Sequence, residues 1–163
     1  QLLGTPVVSE PVISRTRRAQ SYRTENGRSM MGDLADWEIS QGARIVDLTE
    51  HFCVVCPFAS RFAFQVWIIP RSEDFDFTSC DEDVRNELAL HCRKIVTRYE
   101  ITLDNPAYNL LFHTGPFASP NGQKGYFELF PRLTLAAGFE LGTDIWVNPV
   151  APEAAARRLR SED

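Results

Sequence analysis

Histidine is scarce in this chain: His51, His91 and His113 are the three in 163 residues. None stands at a spacing that suggests a Ser-His-Asp or Cys-His nucleophilic site. Cysteine is nearly as sparse, at Cys53, Cys56, Cys80 and Cys92. Cys53 and Cys56 form a C-x-x-C, but no second pair at zinc spacing accompanies them. They lie inside HFCVVCPF, which reads as a strand, where residues three apart point to opposite faces and chelate poorly. Buried free thiols are therefore expected. No apolar run reaches about 18 residues and no secretory-leader pattern occurs, so no membrane span is expected and the cytoplasm is the expected compartment. Glycine-rich phosphate loops, alternating βαβ units and solenoid repeats are missing too, which argues against doubly wound and repeat architectures.

Positive charge is in deficit. Seventeen Lys and Arg against 22 Asp and Glu leave a net charge of −5, which argues against nucleic acid as a partner. The one basic run, Arg15 to Arg18, lies in a stretch that reads as an arm; a solvated tail and a phosphate contact are both open readings.

What is present is a globular composition, 44% apolar and 24% charged, in a chain long enough for one domain with a core. The chain opens on Gln1, as a fragment, a processed chain or the ordered part of a longer protein would. Residues 1–24 carry Pro6, Pro11 and scattered Ser, Thr and Arg, and are expected to be an extended N-terminal arm; residues 25–163 are expected to be the folded domain. A helix is expected within Glu25–Gln41, beginning near Ser29 or Asp33. Strands are expected at Arg44–Leu48, His51–Pro57 and Phe62–Pro70, the last two joined by a turn at Phe58–Arg61. A long helix follows from Asp81 to about Tyr99, with anions at its start where the helix dipole favours them. Tyr108–His113 reads as a strand, Thr114-Gly115-Pro116 as a turn and Phe117–Lys124 as a loop. Gly125–Val150 then reads as a strand, a turn of small residues and a second strand, before a helix over Pro152–Leu159. Short connections between successive strands predict an α+β domain with an antiparallel sheet of about five to six strands and the long helix packed on it.

Glu128 stands out. Tyr126, Glu128 and Phe130 alternate with Phe127, Leu129 and Pro131, so a carboxylate sits mid-strand among aromatics and must be solvated, paired or metal-bound. His113 ends a strand before a turn, a place where sites are built. On neighbouring strands the two could meet as metal ligands or as a hydrogen-bonded pair; two ligands alone do not close a metal site. His51 and His91 read as structural.

Four segments carry a family resemblance: ENGRSMMGD, RIVDLTEHFCVVCPFASRFAFQVWIIPRS, YNLLFHTGP and FELFPRLTLAAGFELGTDIWVNPVAPEAAARRLR. Together, over roughly residues 25–160, they resemble the C-terminal half of the galactose-1-phosphate uridylyltransferase family, within the histidine-triad superfamily. The resemblance implies a HIT-like sheet. It also implies transfer of a uridylyl group between a nucleotide sugar and a sugar phosphate in galactose metabolism. Transfer in that family proceeds through a histidine of a His-x-His motif in the other half. Partners implied are a homodimer mate or a homologous N-terminal half-domain. Gly138, Phe139 and Glu140 match the segment that contacts the hexose. His113 matches a histidine that ligates a structural zinc or iron. Glu128 matches the last residue of a His-Trp-His-Ile-Glu pattern, where Lys124, Gly125, Tyr126 and Phe127 replace the others. Met30 and Met31 stand where some relatives carry cysteines. No His-x-His occurs in this chain. Two readings follow: half of a catalytic nucleotidyltransferase, or a non-catalytic module of the same fold that binds a nucleotide, a sugar phosphate or a protein.

Overall fold

A computed structural model describes residues 6–73, 75–114, 125–135 and 137–160. Its elements run α1 (Glu10–Asn26), α2 (Met30–Gln41), β1 (Ile45–Leu48), β2 (Phe52–Val55), β3 (Val66–Pro70), α3 (Glu82–Leu103), β4 (Tyr108–His113), β5 (Tyr126–Pro131), α4 (Gly138–Thr143) and α5 (Pro152–Arg160). The strands form one sheet in the order β1-β2-β3-β5-β4, and every neighbouring pair is antiparallel. The α+β architecture is as the sequence predicts, with five strands. The expected turn at Gly115-Pro116 and loop at 117–124 lie outside the described residues.

The sheet is covered on both faces. Phe52, Val54, Val66, Ile68, Phe127 and Leu129 pack with Leu88, Ile95 and Tyr99 of α3 and with Ala155, Ala156 and Leu159 of α5. Cys53, Val55, Ile69 and Tyr126 pack on the other face with Met31 and Ala35 of α2. All four residues of β2 are fully buried because each face has its own cover. Cys53 and Cys56 accordingly fall in different clusters, as residues three apart in an extended segment must. All four cysteines are free thiols, and burial pushes Cys53 and Cys56 up to about 12.

A buried ion triad ties α2, β1 and α5 together. Arg44, 6% exposed, donates through Nε to both oxygens of Glu38 (3.1 and 3.0 Å) and through Nη1 to Glu153 Oε1 at 2.6 Å. Its guanidinium lies 5.0 Å from the centre of the Trp37 ring. Ser29 caps α2, its hydroxyl accepting the Gly32 N–H at 2.9 Å, and Gly42 closes the helix at φ 71°.

Several expectations are corrected. The arm expected at residues 1–24 is helical from Glu10 onward. Pro11 falls in the first turn, where its missing N–H costs nothing, and Thr16 and Ala19 are buried. The Arg15–Arg18 run therefore rides on a helix. Next, β3 begins at Val66, not Phe62, because residues 62–65 form a turn. In it Phe64 adopts φ 58°, a left-handed backbone that costs a bulky residue about 1–3 kcal/mol. The Tyr99 hydroxyl of α3 donates to the Phe64 carbonyl at 2.8 Å and approaches the Leu129 carbonyl at 3.2 Å. Last, among the described residues no second strand follows β5. Residues 138–143 are helical, and Glu140 accepts the Ala137 N–H at 3.1 Å at the start of that helix. The alternating run through Ile145 and Val147 joins no sheet edge, and both side chains stay exposed. The long helix also extends past Tyr99, to Leu103.

Tyr99→Phe keeps the packing and removes the only described side-chain donor to the Phe64 carbonyl. It is expected to lower stability by about 1–2 kcal/mol, read as a lower urea midpoint at unchanged slope. A midpoint equal to that of the native chain would remove Tyr99 from the support of this turn.

Candidate functional site

Strand β5 turns Tyr126, Glu128 and Phe130 toward the α2 side of the sheet, and its neighbours complete a polar site there. Trp67 on β3 and Leu111 on β4 stand opposite Glu128, while His113 stands opposite Tyr126. Glu128 is 2% exposed. A carboxylate at that depth must find donors. His113 Nε2 bonds its Oε2, and Gln65 Nε2 donates to its Oε1. Gln65 in turn accepts the backbone N–H groups of Arg61 (2.6 Å) and Phe62 (3.2 Å) on its own Oε1.

The electrostatics follow from those partners. Burial alone would raise the Glu128 carboxyl; the hydrogen bond and charge of His113, with the nearby Arg61, bring it below its ordinary 4.5. Burial, helped by the negative Glu128, pushes the Tyr126 phenol up to about 12, so it is neutral at physiological pH. The His113 ring stacks on Tyr126 with centroids 4.6 Å apart, and Tyr126 leans on Trp67 at 5.0 Å. Beside this group, Phe62 stacks on Phe130 at 4.2 Å and meets Trp146 at 5.0 Å, with the Arg61 guanidinium 5.8 Å from the Trp146 ring.

The structure thus brings His113 and Glu128 together. It does not bring Gly138, Phe139 and Glu140 to them: no hydrogen bond, ion pair or ring contact among the described residues joins α4 to this pair. Phe139 is 54% exposed, and the described side-chain bond of Glu140 is the local one to Ala137. Sequence reading passed over Gln65 and Arg61. A glutamine inside FAFQVWIIP was the available signal, since a polar side chain there is buried and needs partners.

As a metal centre the donor set falls short. No group of three or more His, Cys, Asp or Glu side chains able to hold an ion occurs among the described residues. Both oxygens of Glu128 and one nitrogen of His113 are already engaged.

The other two histidines belong to a separate cluster that lashes α3 to β1 and the turn after it. His51 Nδ1 meets Glu87 Oε2 at 2.7 Å, and the Thr49 hydroxyl bonds Glu87 Oε1. His91, 4% exposed, has Nε2 3.1 Å from that hydroxyl and Nδ1 3.3 Å from Asp47 Oδ2. Lys94 completes the group at 2.7 Å from Asp47.

A sequence model of the family described as "Galactose-1-phosphate uridyl transferase, C-terminal domain" matches residues 15–137. The chain belongs to this family. Among curated relatives, an ADP-glucose phosphorylase of Arabidopsis thaliana is 32% identical over 98% of this chain and 45% of its own length. A galactose-1-phosphate uridylyltransferase of Thermotoga maritima is 29% identical over 71% of this chain and 39% of its own. The chain therefore spans less than half the length of these relatives. A crystal structure of an Arabidopsis thaliana ADP-glucose phosphorylase with bound ADP-glucose superposes at TM-score 0.81 and 27% identity, over 98% of this chain and 51% of that one. A zinc-bound histidine triad protein from Mycobacterium smegmatis shares the fold, at TM-score 0.55 and 16% identity over 80% of this chain and 93% of its own.

The His51–Glu87 contact makes a prediction about pH. The Glu87 hydrogen bond raises His51 above its ordinary 6.5. Burial works against it, but the bonds from Thr49 and His51 hold Glu87 below its ordinary 4.5. A raised histidine contributes fully below 6.5 and fades as pH rises through its folded value; a lowered carboxyl contributes above 4.5 and fades as pH falls through its own. The gap in melting temperature between the native chain and His51→Gln should be widest between 4.5 and 6.5 and narrow on both sides. A gap that stays constant into the alkaline range would show that charge plays no part.

Proposed function

We propose that this chain is the C-terminal half of a nucleotidyltransferase that moves a nucleotidyl group between a nucleotide sugar and a sugar phosphate. Its attacking histidine stands on a homologous half outside these residues. Family membership supports the reaction class, and the relatives' names support a nucleotide sugar without choosing between ADP and UDP. On β5, none of Tyr126, Glu128 and Phe130 is an imidazole, and the His113 ring beside them is bonded to Glu128. His51 and His91 are tied into the α3 cluster.

The observation that carries the reading is α4. It holds Phe139 54% exposed and Leu141 75% exposed beside Glu140, on a stretch whose following residues Ile145 and Val147 are 58% and 62% exposed. An ordered apolar segment turned outward is built to meet a partner, and an aromatic with a carboxylate suits the hydroxyls of a hexose held in a second subunit. The edge strand β4 supports a paired half-domain. Leu110, Leu111 and Phe112 are 50%, 40% and 41% exposed, and among the described residues its outer edge pairs with no strand. Four free thiols favour a reducing compartment, the cytoplasm, and no described helix is long and apolar enough to cross a membrane.

Two outcomes test this. The 163-residue chain should take no covalent label from nucleotide-labelled UDP-glucose or ADP-glucose, whereas the protein joined to its N-terminal half should. Label on the isolated chain would reveal a nucleophile in these residues; none on the joined protein would favour the non-catalytic binding module. In the joined protein, Glu140→Ala should lower kcat/KM for the sugar phosphate about tenfold or more, as expected for a lost charged hydrogen bond. Unchanged kinetics would take Glu140 out of the site.

A further inference from the structure

We propose that Gln65, Glu128 and His113 form a closed hydrogen-bonded relay. It holds this end of the sheet without a metal ion and keeps a proton on His113 Nε2, facing Glu128.

The logic starts at Gln65, a positioning residue. Its Oε1 receives two backbone N–H groups, from Arg61 at 2.6 Å and Phe62 at 3.2 Å. Only an oxygen can accept both, so the amide has one permitted orientation and its NH2 end must face Glu128. Glu128 Oε1 takes that donor, and Oε2 is left for His113. With a carboxylate as acceptor, the imidazole has to present Nε2–H. The ring cannot turn freely, because Tyr126 stacks on it at 4.6 Å and its side chain is 13% exposed. Gln65 itself is 2% exposed and follows Phe64, whose left-handed backbone is held by the Tyr99 hydroxyl. A continuous series of contacts thus runs from α3 to His113.

A metal bound here would have to take Nε2 or Oε2, and each already serves the other. It would also need further ligands. Residues 115–124, which follow His113, contain no His, Cys, Asp or Glu. The phenol of Tyr126 stands beside the ring instead of a second imidazole. A glutamine amide does what a metal does elsewhere: it fixes the geometry of a buried carboxylate and, through it, of a histidine. This inference does not depend on nucleotidyl transfer, and its tests read no activity.

The full chain, incubated with Zn2+ or Fe2+ and dialysed, is expected to retain far less than one equivalent by elemental analysis. Long-range 1H–15N spectra of the three histidines should show His113 carrying a proton on Nε2. Glu128→Gln should reverse it. The new amide must accept from Gln65 through its oxygen, so its NH2 faces Nε2 and drives the ring to Nδ1–H. Adding Gln65→Leu should remove that constraint and give mixed tautomers. The inference is overturned by a stoichiometric metal that is lost in His113→Ala, by an Nδ1–H tautomer in the native chain, or by a tautomer unmoved in folded Glu128→Gln. Should Glu128→Gln not fold, the native spectrum and the metal content still decide.

Discussion

A negative charge buried at the middle of β5 sets the terms for this end of the molecule. Glu128 is 2% exposed between two strands, where an unpartnered carboxylate would cost several kcal/mol. Its two oxygens need side-chain donors, since strand backbone here pairs with strand backbone. One donor comes from the end of β4. The other comes from a turn that breaks the expected strand early so that Gln65 can face inward. The left-handed Phe64, the Tyr99 hydroxyl reaching from α3 and the stacked Tyr126 all read as consequences of satisfying that charge.

The remaining polar groups at depth follow the same rule with different partners. Arg44 is sandwiched against an aromatic ring and shared by Glu38 and Glu153, which fastens helices on opposite sides of the sheet to β1. The Thr49, His51, Glu87, His91 and Asp47 cluster does the equivalent for α3. Each network joins elements distant in sequence, so each acts as a register mark for packing as much as a source of stability. The surfaces left without such fastenings are α4 and the outer edge of β4, and both expose apolar side chains. The chain spans under half the length of the curated relatives it matches, and it turns these two apolar surfaces outward.

Family membership and detailed chemistry stand on different footings here. The fold places this chain beside enzymes named for nucleotide sugars, yet the face of β5 carries phenol, carboxylate and phenyl groups. None of these is suited to forming a labile bond to phosphorus near neutral pH. Amide and imidazole hydrogen bonds hold the carboxylate in place there.

Period-2 alternation, helix capping and proline placement were enough to locate α2, α3, β1, β2, β4, β5 and α5, because those signals act between residues near in sequence. Glu128 announced itself the same way, as a charge in an apolar strand. Its neighbour His113 could be named but not oriented. What the local pattern could not decide were the outcomes of competition between distant groups. Residues 10–24 became helical once α1 had a surface to bury Thr16 and Ala19 against. Residues 62–65 left the strand because Gln65 had a buried acceptor to serve. The alternating run after Gly138 did not become a strand: residues 138–143 are helical, and the run beyond them pairs with no strand among the described residues. Local sequence determined which segments favour helix or strand; only the tertiary structure decided which polar atoms meet, since a buried hydrogen bond is fixed by partners from several strands and helices at once.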